Sequence, residues 1–256
     1  MRINHNITAQ NTHRNMTLNN VATSKNMEKL SSGLRINRAG DDAAGLAVSE
    51  KMRGQIRGLE QAQRNVQDGI SFIQTAEGAM NEVSAMLTRM KELNVQYATG
   101  TYTSTQKANS IQLELNALSS QIDSILTNTK FNGINITSTV SVQADDDTVT
   151  ISIAGITTSS ITNLGGTTSI QNIETAITNA STERAKLGAL QNRLEYTSNN
   201  LGTTIENLTA SESRIRDTDM ADEMVKLTKN QILLQASQAM LAQANSAPQG
   251  VLSLLR

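Results

Sequence analysis

Chemistry in a protein chain usually comes from histidine, cysteine, clustered carboxylates or a glycine-rich phosphate loop. This chain offers few of these, and none in a usable pattern. Its two histidines, His5 and His13, both stand near the N-terminus, with no nucleophile or metal-ligand motif around them. Cysteine is absent, which excludes disulfides, thiolate metal sites and cysteine nucleophiles. No HExxH, GxSxG, P-loop or GxGxxG sequence occurs. Asp145-Asp146-Asp147 could attract a cation, but the ordered ligand spacing of a calcium loop is missing, so the run reads as a solvated turn. The expectation is a protein that is not an enzyme, with no catalytic residue, no cofactor and no metal.

Composition points the same way. Aromatics make up 2% of residues and tryptophan is absent, whereas ligand clefts are usually lined with aromatic rings. The apolar content is Ala, Leu, Ile, Val and Met, which suits helix seams. Pro248 is the single proline, so long helices meet few breakers. A formal net charge of -1 gives no reason to expect nucleic acid or an anionic membrane as partner. No apolar run approaches the roughly 18 residues that would span a bilayer. The opening Met1-Arg2-Ile3-Asn4-His5-Asn6-Ile7 lacks the apolar stretch of a cleavable signal peptide. Read alone, this fits a cytosolic protein, or one exported by a route that reads no such signal.

The elements show up as heptads. Met52, Ile56, Leu59, Gln63, Val66, Ile70, Ile73, Glu77 and Met80 alternate in steps of four and three. A second frame runs Ala76, Met80, Val83, Leu87, Met90, Asn94, Tyr97, and the two overlap at Met80. The pattern predicts one helix from about Asp42 to Gln96, roughly 80 Å long at the α-helical rise. Gln63 and Glu77 on the seam lower stability but fix register. After Thr99-Gly100-Thr101 a shorter helix is predicted, with Ser104 as N-cap, the seam Ile111, Leu115, Leu118, Ile122, Ile125, and an end near Asn128. A third seam follows through Ile173, Ile177, Ala180, Arg184 and Leu187, then Leu194, Leu201, Ile205, Leu208 and Ile215. Three long seams in one chain imply a bundle of rods.

The two ends and the middle differ from the rods. Residues 1–34 scatter Ile3, Ile7, Met16, Met27, Leu30 and Leu34 among Asn and Thr. Residues 220–256 carry Met220, Met224, Leu227, Leu234, Met240, Leu252 and Leu255 among Ala and Gln. Two such helices paired in isolation could not cover their apolar faces, so they read as a self-assembly surface. Around 138–168, Val140 and Val142, then Val149, Ile151 and Ile153, alternate with polar residues and predict a β-hairpin. The expected fold is all-α: long antiparallel coiled-coil or helical-bundle rods, a small β-hairpin region, and N- and C-terminal helices paired.

One segment, Leu30 to Leu46 (LSSGLRINRAGDDAAGL), joins two predicted helices. Its glycines allow a tight path. Asp41 and Asp42 fall where the second helix begins, and Arg35 and Arg38 are placed to reach carboxylates of the same or a neighbouring subunit. This segment, continued by Ala47 to Arg53, closely resembles the N-terminal signature of bacterial flagellins. Ser211 to Ala221 (SESRIRDTDMA) is similar to the matching C-terminal signature, and the tail Gln235 to Leu255 fits as well. The resemblance covers residues 1 to about 136 and about 170 to 256.

That resemblance implies a secreted subunit of the extracellular flagellar filament. It would be exported unfolded through the flagellum's own apparatus and added at the distal tip into a helical homopolymer that serves motility. Partners implied are further copies of itself, an export chaperone, and the cap and hook-associated proteins. A hook–filament junction protein shares the same end-to-end plan and is the alternative. On the family's layout, residues 1–34 and 220–256 form inner-tube helices, 35–43 and 213–219 are linkers, 44–137 and 169–212 form a helical shell, and 138–168 is a short exposed hairpin and loop. Assembly would rest on Ile3, Ile7, Leu30, Leu34, Arg35, Met220, Met224, Leu227, Leu234, Met240, Leu252 and Leu255. Many flagellins are also bound by host Toll-like receptor 5, and the family's motif resembles Leu87 to Gln96 here. Arg89 and Leu93 fall on its contact positions, with Glu114 matching on the next helix.

Overall fold

The computed structural model describes residues 5–101, 103–147, 149–159, 161–162, 164–165 and 169–254, with the backbone alone for Gln106, Ala108 and 248–254. In chain order the elements are α1 (Ile7–Ser32), α2 (Ala43–Ala98), α3 (Ser104–Gln106), a π-helical turn (Lys107–Ile111), α4 (Gln112–Asn128), β1 (Lys130–Phe131), β2 (Ile134–Asn135), β3 (Val140–Gln143), β4 (Thr150–Ile153), α5 (Ile170–Arg216) and α6 (Met220–Leu254). The chain divides into two compact units. One comprises the residues up to Gly54 with those from Leu208 onward; the other is Gln55–Asn207.

The Gln55–Asn207 unit is a helical bundle with a β layer, and its core is where the heptads place it. Leu59, Val66, Ile70, Ile73, Met80, Val83, Leu87 and Met90 are buried along α2, and Ile173, Ala180, Leu187 and Leu194 along α5. Ahead of and along α4, Ile111, Leu115 and Ile122 are buried as expected, but Leu126 is buried in place of the half-buried Leu118 and Ile125. Ion pairs set the directions. Glu77 and Lys91 of α2 meet Arg184 and Glu174 of α5 at 3.8 and 2.9 Å, so these helices run antiparallel. The polar seam residue Glu77 thus finds the polar seam residue Arg184, a pairing suited to holding one register. Phe72 and Phe131 stack edge to face with centroids 6.1 Å apart, at the end of α4 opposite its Arg89–Glu114 contact.

Helix α3 starts at Ser104, so the capping position falls to Thr103 and the expectation that Ser104 caps this helix is one residue late. The expected hairpin is present: β3 and β4 are antiparallel, with Val140 opposite Ile153 and Val142 opposite Ile151. The segment 138–168 is not exposed throughout. Val142, Ile151, Ile153, Ile156, Ile161 and Leu164 are buried, while Ser141, Thr150 and Ser152 face solvent. The alternation that makes the strands also supplies an inner face. That face is seated on α2: a Cβ on Gly69 would come within 2.9 Å of Val142, and Asn65 Nδ2 donates to the Gln143 carbonyl at 3.4 Å. At the hairpin tip Gln143 Nε2 donates to the carbonyls of Asp145 and Asp147 at 3.2 and 3.0 Å. Asp145 accepts from the Asp146 amide at 2.8 Å, so the acidic run is organised as a turn.

A second hairpin, absent from the sequence reading, pairs Lys130 with Asn135 and Phe131 with Ile134. Its turn is Asn132-Gly133, with φ of 49° and 81°, the left-handed pair that a tight hairpin turn demands.

Candidate functional site

The unit formed by the chain ends inverts the usual order of burial. Among its described residues, Ile36 is the one buried apolar side chain, whereas Thr23, Asn26, Ser49 and Glu223 are buried polar ones. Helices α1 and α6 pair antiparallel. The less exposed positions run Ala9, Thr12, Met16, Asn19, Thr23, Asn26 and Leu30 on α1, and Glu223, Leu227, Asn230, Leu234, Ser237, Leu241 and Ala244 on α6. Both rows step by three and four, the spacing of a helix seam.

Hydrogen bonds fix this seam at three levels. Asn6 caps α1 by accepting from the Ala9 amide at 3.1 Å, and its Nδ2 donates across to the Ala244 carbonyl at 2.7 Å. Asn19 Nδ2 donates to Ser237 Oγ at 3.3 Å. Asn26, its amide turned so that nitrogen faces the acceptors, donates to Glu223 Oε1 at 3.0 Å and to the Ala22 carbonyl at 3.1 Å, and accepts from Asn230 Nδ2 at 3.0 Å. Lys226 stands 3.6 Å from Glu223 and 2.6 Å from Asp222; its ammonium is held above the ordinary lysine range first by the Asp222 hydrogen bond.

Further large apolar side chains lie on the other faces. Ile7, Leu18, Val21 and Met27 of α1 are exposed, as are Met220, Met224, Val225, Ile232, Leu233 and Met240 of α6. Of the residues expected to drive assembly, Ile7, Met220, Met224 and Met240 therefore face outward. Leu30, Leu34, Leu227 and Leu234 are half-buried. Ile3 and Leu255 lie outside the described residues, as does the side chain of Leu252. The Asn, Thr and Ser residues of the inner seam escaped the sequence reading. Their spacing was the available signal, but it carries no hydrophobic periodicity.

The connectors are closed by hydrogen bonds. Gly33 adopts a left-handed conformation at the end of α1, φ 71°, with its amide on the Lys29 carbonyl at 2.8 Å. Leu34 then forms an isolated antiparallel bridge with Asp217, supported by Arg35 N to the Arg216 carbonyl at 2.6 Å and Thr218 N to the Gly33 carbonyl at 3.0 Å. Within this chain the Arg35 guanidinium donates to the Ile215 carbonyl. In this geometry Arg35 satisfies one of the orphan carbonyls at the end of α5. Arg38 does reach a carboxylate, Glu28 at 3.0 Å. Asp42 caps α2 by accepting from the Gly45 amide at 2.9 Å, and Asp219 caps α6 by accepting from Ala221 and Asp222 at 2.9 and 3.2 Å. Arg53 of α2 pairs with Glu212 of α5 at 3.3 Å.

In the bundle unit, Arg89 bridges two carboxylates, Glu92 at 3.2 Å and Glu114 at 3.1 Å. Its guanidinium is held above its ordinary range by Glu92 first and Glu114 second. Both Arg89 and Glu114 are exposed, but Leu93, the third residue of that expected surface, is 2% exposed and belongs to the core. His5 and His13 are exposed. Among the described residues no three His, Asp or Glu side chains gather as a metal site, and no helix is long and apolar enough to cross a membrane.

A paired-end unit with an outward apolar face suits a subunit that packs against further copies. Comparison with known proteins agrees. A family profile described as "Bacterial flagellin N-terminal helical region" matches residues 3–142, and one described as "Bacterial flagellin C-terminal helical region" matches residues 170–255. The chain is 51% identical to flagellin of Bacillus subtilis (strain 168) over 304 aligned positions, covering 100% of both chains. It is 49% identical to the flagellar filament 33 kDa core protein of Treponema phagedenis, again over 100% of both. A crystal structure of Bacillus cereus flagellin is 33% identical to it, with a TM-score of 0.47 over 54% of this chain and 88% of that one. The chain belongs to the bacterial flagellin family and is a structural subunit of the extracellular flagellar filament, not an enzyme.

Proposed function

We propose that the subunit is exported unfolded with the help of a chaperone, adds at the distal tip under a cap protein, and joins the hook through hook-associated proteins. Residues 1–34 and 220–256 then form the inner tube, 44–137 and 169–212 the shell, 35–43 and 213–219 the linkers between them, and 138–168 contributes the outermost surface. The observation that carries this reading is the pair α1–α6: a seam of mixed polar and apolar residues inside, and Ile7, Leu18, Met224, Ile232 and Met240 exposed outside. An exposed apolar surface of this kind marks an interaction site, here read as one for further copies. The assembly set Ile3, Ile7, Leu30, Leu34, Arg35, Met220, Met224, Leu227, Leu234, Met240, Leu252 and Leu255 divides accordingly. Its outward members contact other copies, and its half-buried members hold the pair together. Electron microscopy after salting-out should show long filaments from the full chain and none from a chain lacking residues 220–256. Filaments from the truncated chain would overturn the reading.

The free subunit is also proposed as a ligand of Toll-like receptor 5. The exposed Arg89–Glu114 pair would supply the contact, with Leu93 beneath it as the packing support that holds α2 in place. Arg89→Asp places a carboxylate beside Glu92 and Glu114 and should reduce receptor signalling by the monomer. Unchanged signalling would remove the receptor from this account.

A further inference from the structure

With no cysteine in the chain, its ten methionines carry all of its sulfur, and the described ones range from buried to exposed, with Met16, Met52 and Met86 half-buried. Met80 and Met90 of the bundle unit are 0% exposed. Met27, Met220, Met224 and Met240 of the paired-end unit are 50, 47, 51 and 62% exposed. Met220 and Met224 stand one helical turn apart on α6, and the bonds of Asn26 to Glu223 and Asn230 bring Met27 to the same level of the pair. Four thioethers thus lie on the surface that assembly is argued to cover.

We propose that these four methionines are an oxidation site that controls assembly of the free subunit. A peroxide is the oxidant. The thioether sulfur attacks one peroxide oxygen, the O–O bond breaks, a sulfur–oxygen bond forms, and the remaining oxygen leaves as water from hydrogen peroxide. Sulfur loses two electrons and the peroxide gains them. The flexible apolar side chain becomes a polar one. Methionine suits an interface that must fit neighbouring copies, because its unbranched thioether fills irregular gaps. A sulfoxide buried there without a donor opposes the same contact. Methionine sulfoxide reductases reverse the change: two thiols are oxidised to a disulfide, sulfur gains two electrons, and the sulfoxide oxygen leaves as water. The inference rests on the assembly-face reading.

The test treats the full-length monomer with hydrogen peroxide, maps sulfoxide by peptide mass spectrometry, and follows polymerisation by light scattering. Sulfoxide is expected at Met27, Met220, Met224 and Met240 before Met80 and Met90. The polymer yield should fall roughly tenfold or more, and sulfoxide reductases should restore it. The variant Met27→Leu/Met220→Leu/Met224→Leu/Met240→Leu conserves volume and should keep its yield after peroxide. If that variant fails to polymerise untreated, reductase rescue of the unmodified chain decides. Subunits sulfoxidised at these positions that polymerise at the untreated rate would overturn the proposal, as would a variant that assembles but stays equally sensitive. Preformed filaments given the same dose separate the two readings. If the four methionines oxidise as fast in filaments as in monomers, the assembly-face reading fails. If they are protected there but oxidised monomers assemble normally, the oxidation proposal alone fails.

Discussion

The two units of this chain use helices of similar kind to opposite ends. In the Gln55–Asn207 unit, apolar residues point inward: Met80, Val83, Leu87, Met90, Ile173 and Leu194 are each 0% exposed. In the unit of the chain ends, the inner positions mix polar Asn19, Thr23, Asn26, Glu223, Asn230 and Ser237 with apolar Met16, Leu30, Leu227, Leu234 and Leu241, while Leu18, Val21, Met224, Ile232 and Met240 look out. The first unit buries an apolar core, although Val95, Leu113 and Tyr196 stay exposed. The second buries Ile36 alone among its described apolar side chains and ties its seam with hydrogen bonds. A polar seam stabilises weakly but tolerates few alignments, because a slipped pair strands its buried amides. That combination suits two helices that must meet in one register before a polymer stabilises them.

The sharpest way to break this contrast is to hollow each unit in turn. Leu194→Ala, in the bundle core, should destabilise the monomer by about 2–5 kcal/mol in urea unfolding. Leu18→Ala, on the exposed face of α1, should stay within about 0.5 kcal/mol in the same assay yet weaken polymerisation. Equal losses in the monomer would mean that the paired ends carry a core of their own.

The next test acts on the seam. Asn26→Ala leaves Glu223 and Asn230 without their shared partner, and should cost about 1–3 kcal/mol, read locally as lost hydrogen-exchange protection in α1 and α6. The triple change Asn26→Leu/Glu223→Leu/Asn230→Leu should recover that stability. It should also admit slipped pairings, visible as heterogeneous cross-linking between the two helices. A triple variant with a single register would show that the polar seam is not what selects it.

How far the sequence could be read follows the same division. Where apolar residues face inward, the heptads located α2, α4 and α5 to within a few residues, and even the polar exceptions Glu77 and Arg184 fell on the seams where they meet. Where the inner face is polar, the pattern misled in detail. Hydrophobic spacing treated Leu227 and Met224 alike, although one is half-buried toward the pair and the other exposed. The Asn132-Gly133 hairpin was signalled by its dipeptide, but its strands of two residues each are too short to show alternation. The flagellin resemblance, carried by the two connector signatures, identified the family where periodicity could not. Those connectors proved to be closed by backbone hydrogen bonds and caps, which spacing alone does not reveal.

A smaller effect separates the glycines of the bundle. Gly78 and Gly188 sit within α2 and α5 with nothing within 4 Å of where a Cβ would be, so alanine there should stabilise the monomer by about 0.5–1 kcal/mol. Gly69→Ala should forfeit that gain, since its Cβ would lie 2.9 Å from Val142 and displace the β3–β4 hairpin. Matching gains at all three positions in thermal unfolding would mean the hairpin is not seated on α2.

The mildest test returns to the chain-end unit and asks what acid does to its connector. The Asp41 carboxylate accepts from the Arg38 amide at 3.1 Å and the Asn37 amide at 3.3 Å, with Lys25 at 3.7 Å. The Arg38 bond is the main cause that lowers its pKa below 3.8; the Asn37 bond and the nearby Lys25 and Lys29 add to it, and partial desolvation opposes them. A carboxylate depressed in the folded state stabilises that state above the unfolded pKa and loses this contribution as pH falls through the folded one. The turn over residues 37–41 should therefore hold at neutral and mildly acid pH and loosen only below pH 3.8. An NMR titration of the Asp41 carboxyl, read beside the Asn37 and Arg38 amide shifts, checks this. All three should move together below that value, and Asp41→Ala should show the loosened shifts at neutral pH. A carboxyl that titrates at or above 3.8, while the amides stay fixed, would detach Asp41 from the turn. The order of the joint between α1 and α2 would then rest on Gly33, Arg35 and the Leu34–Asp217 bridge alone.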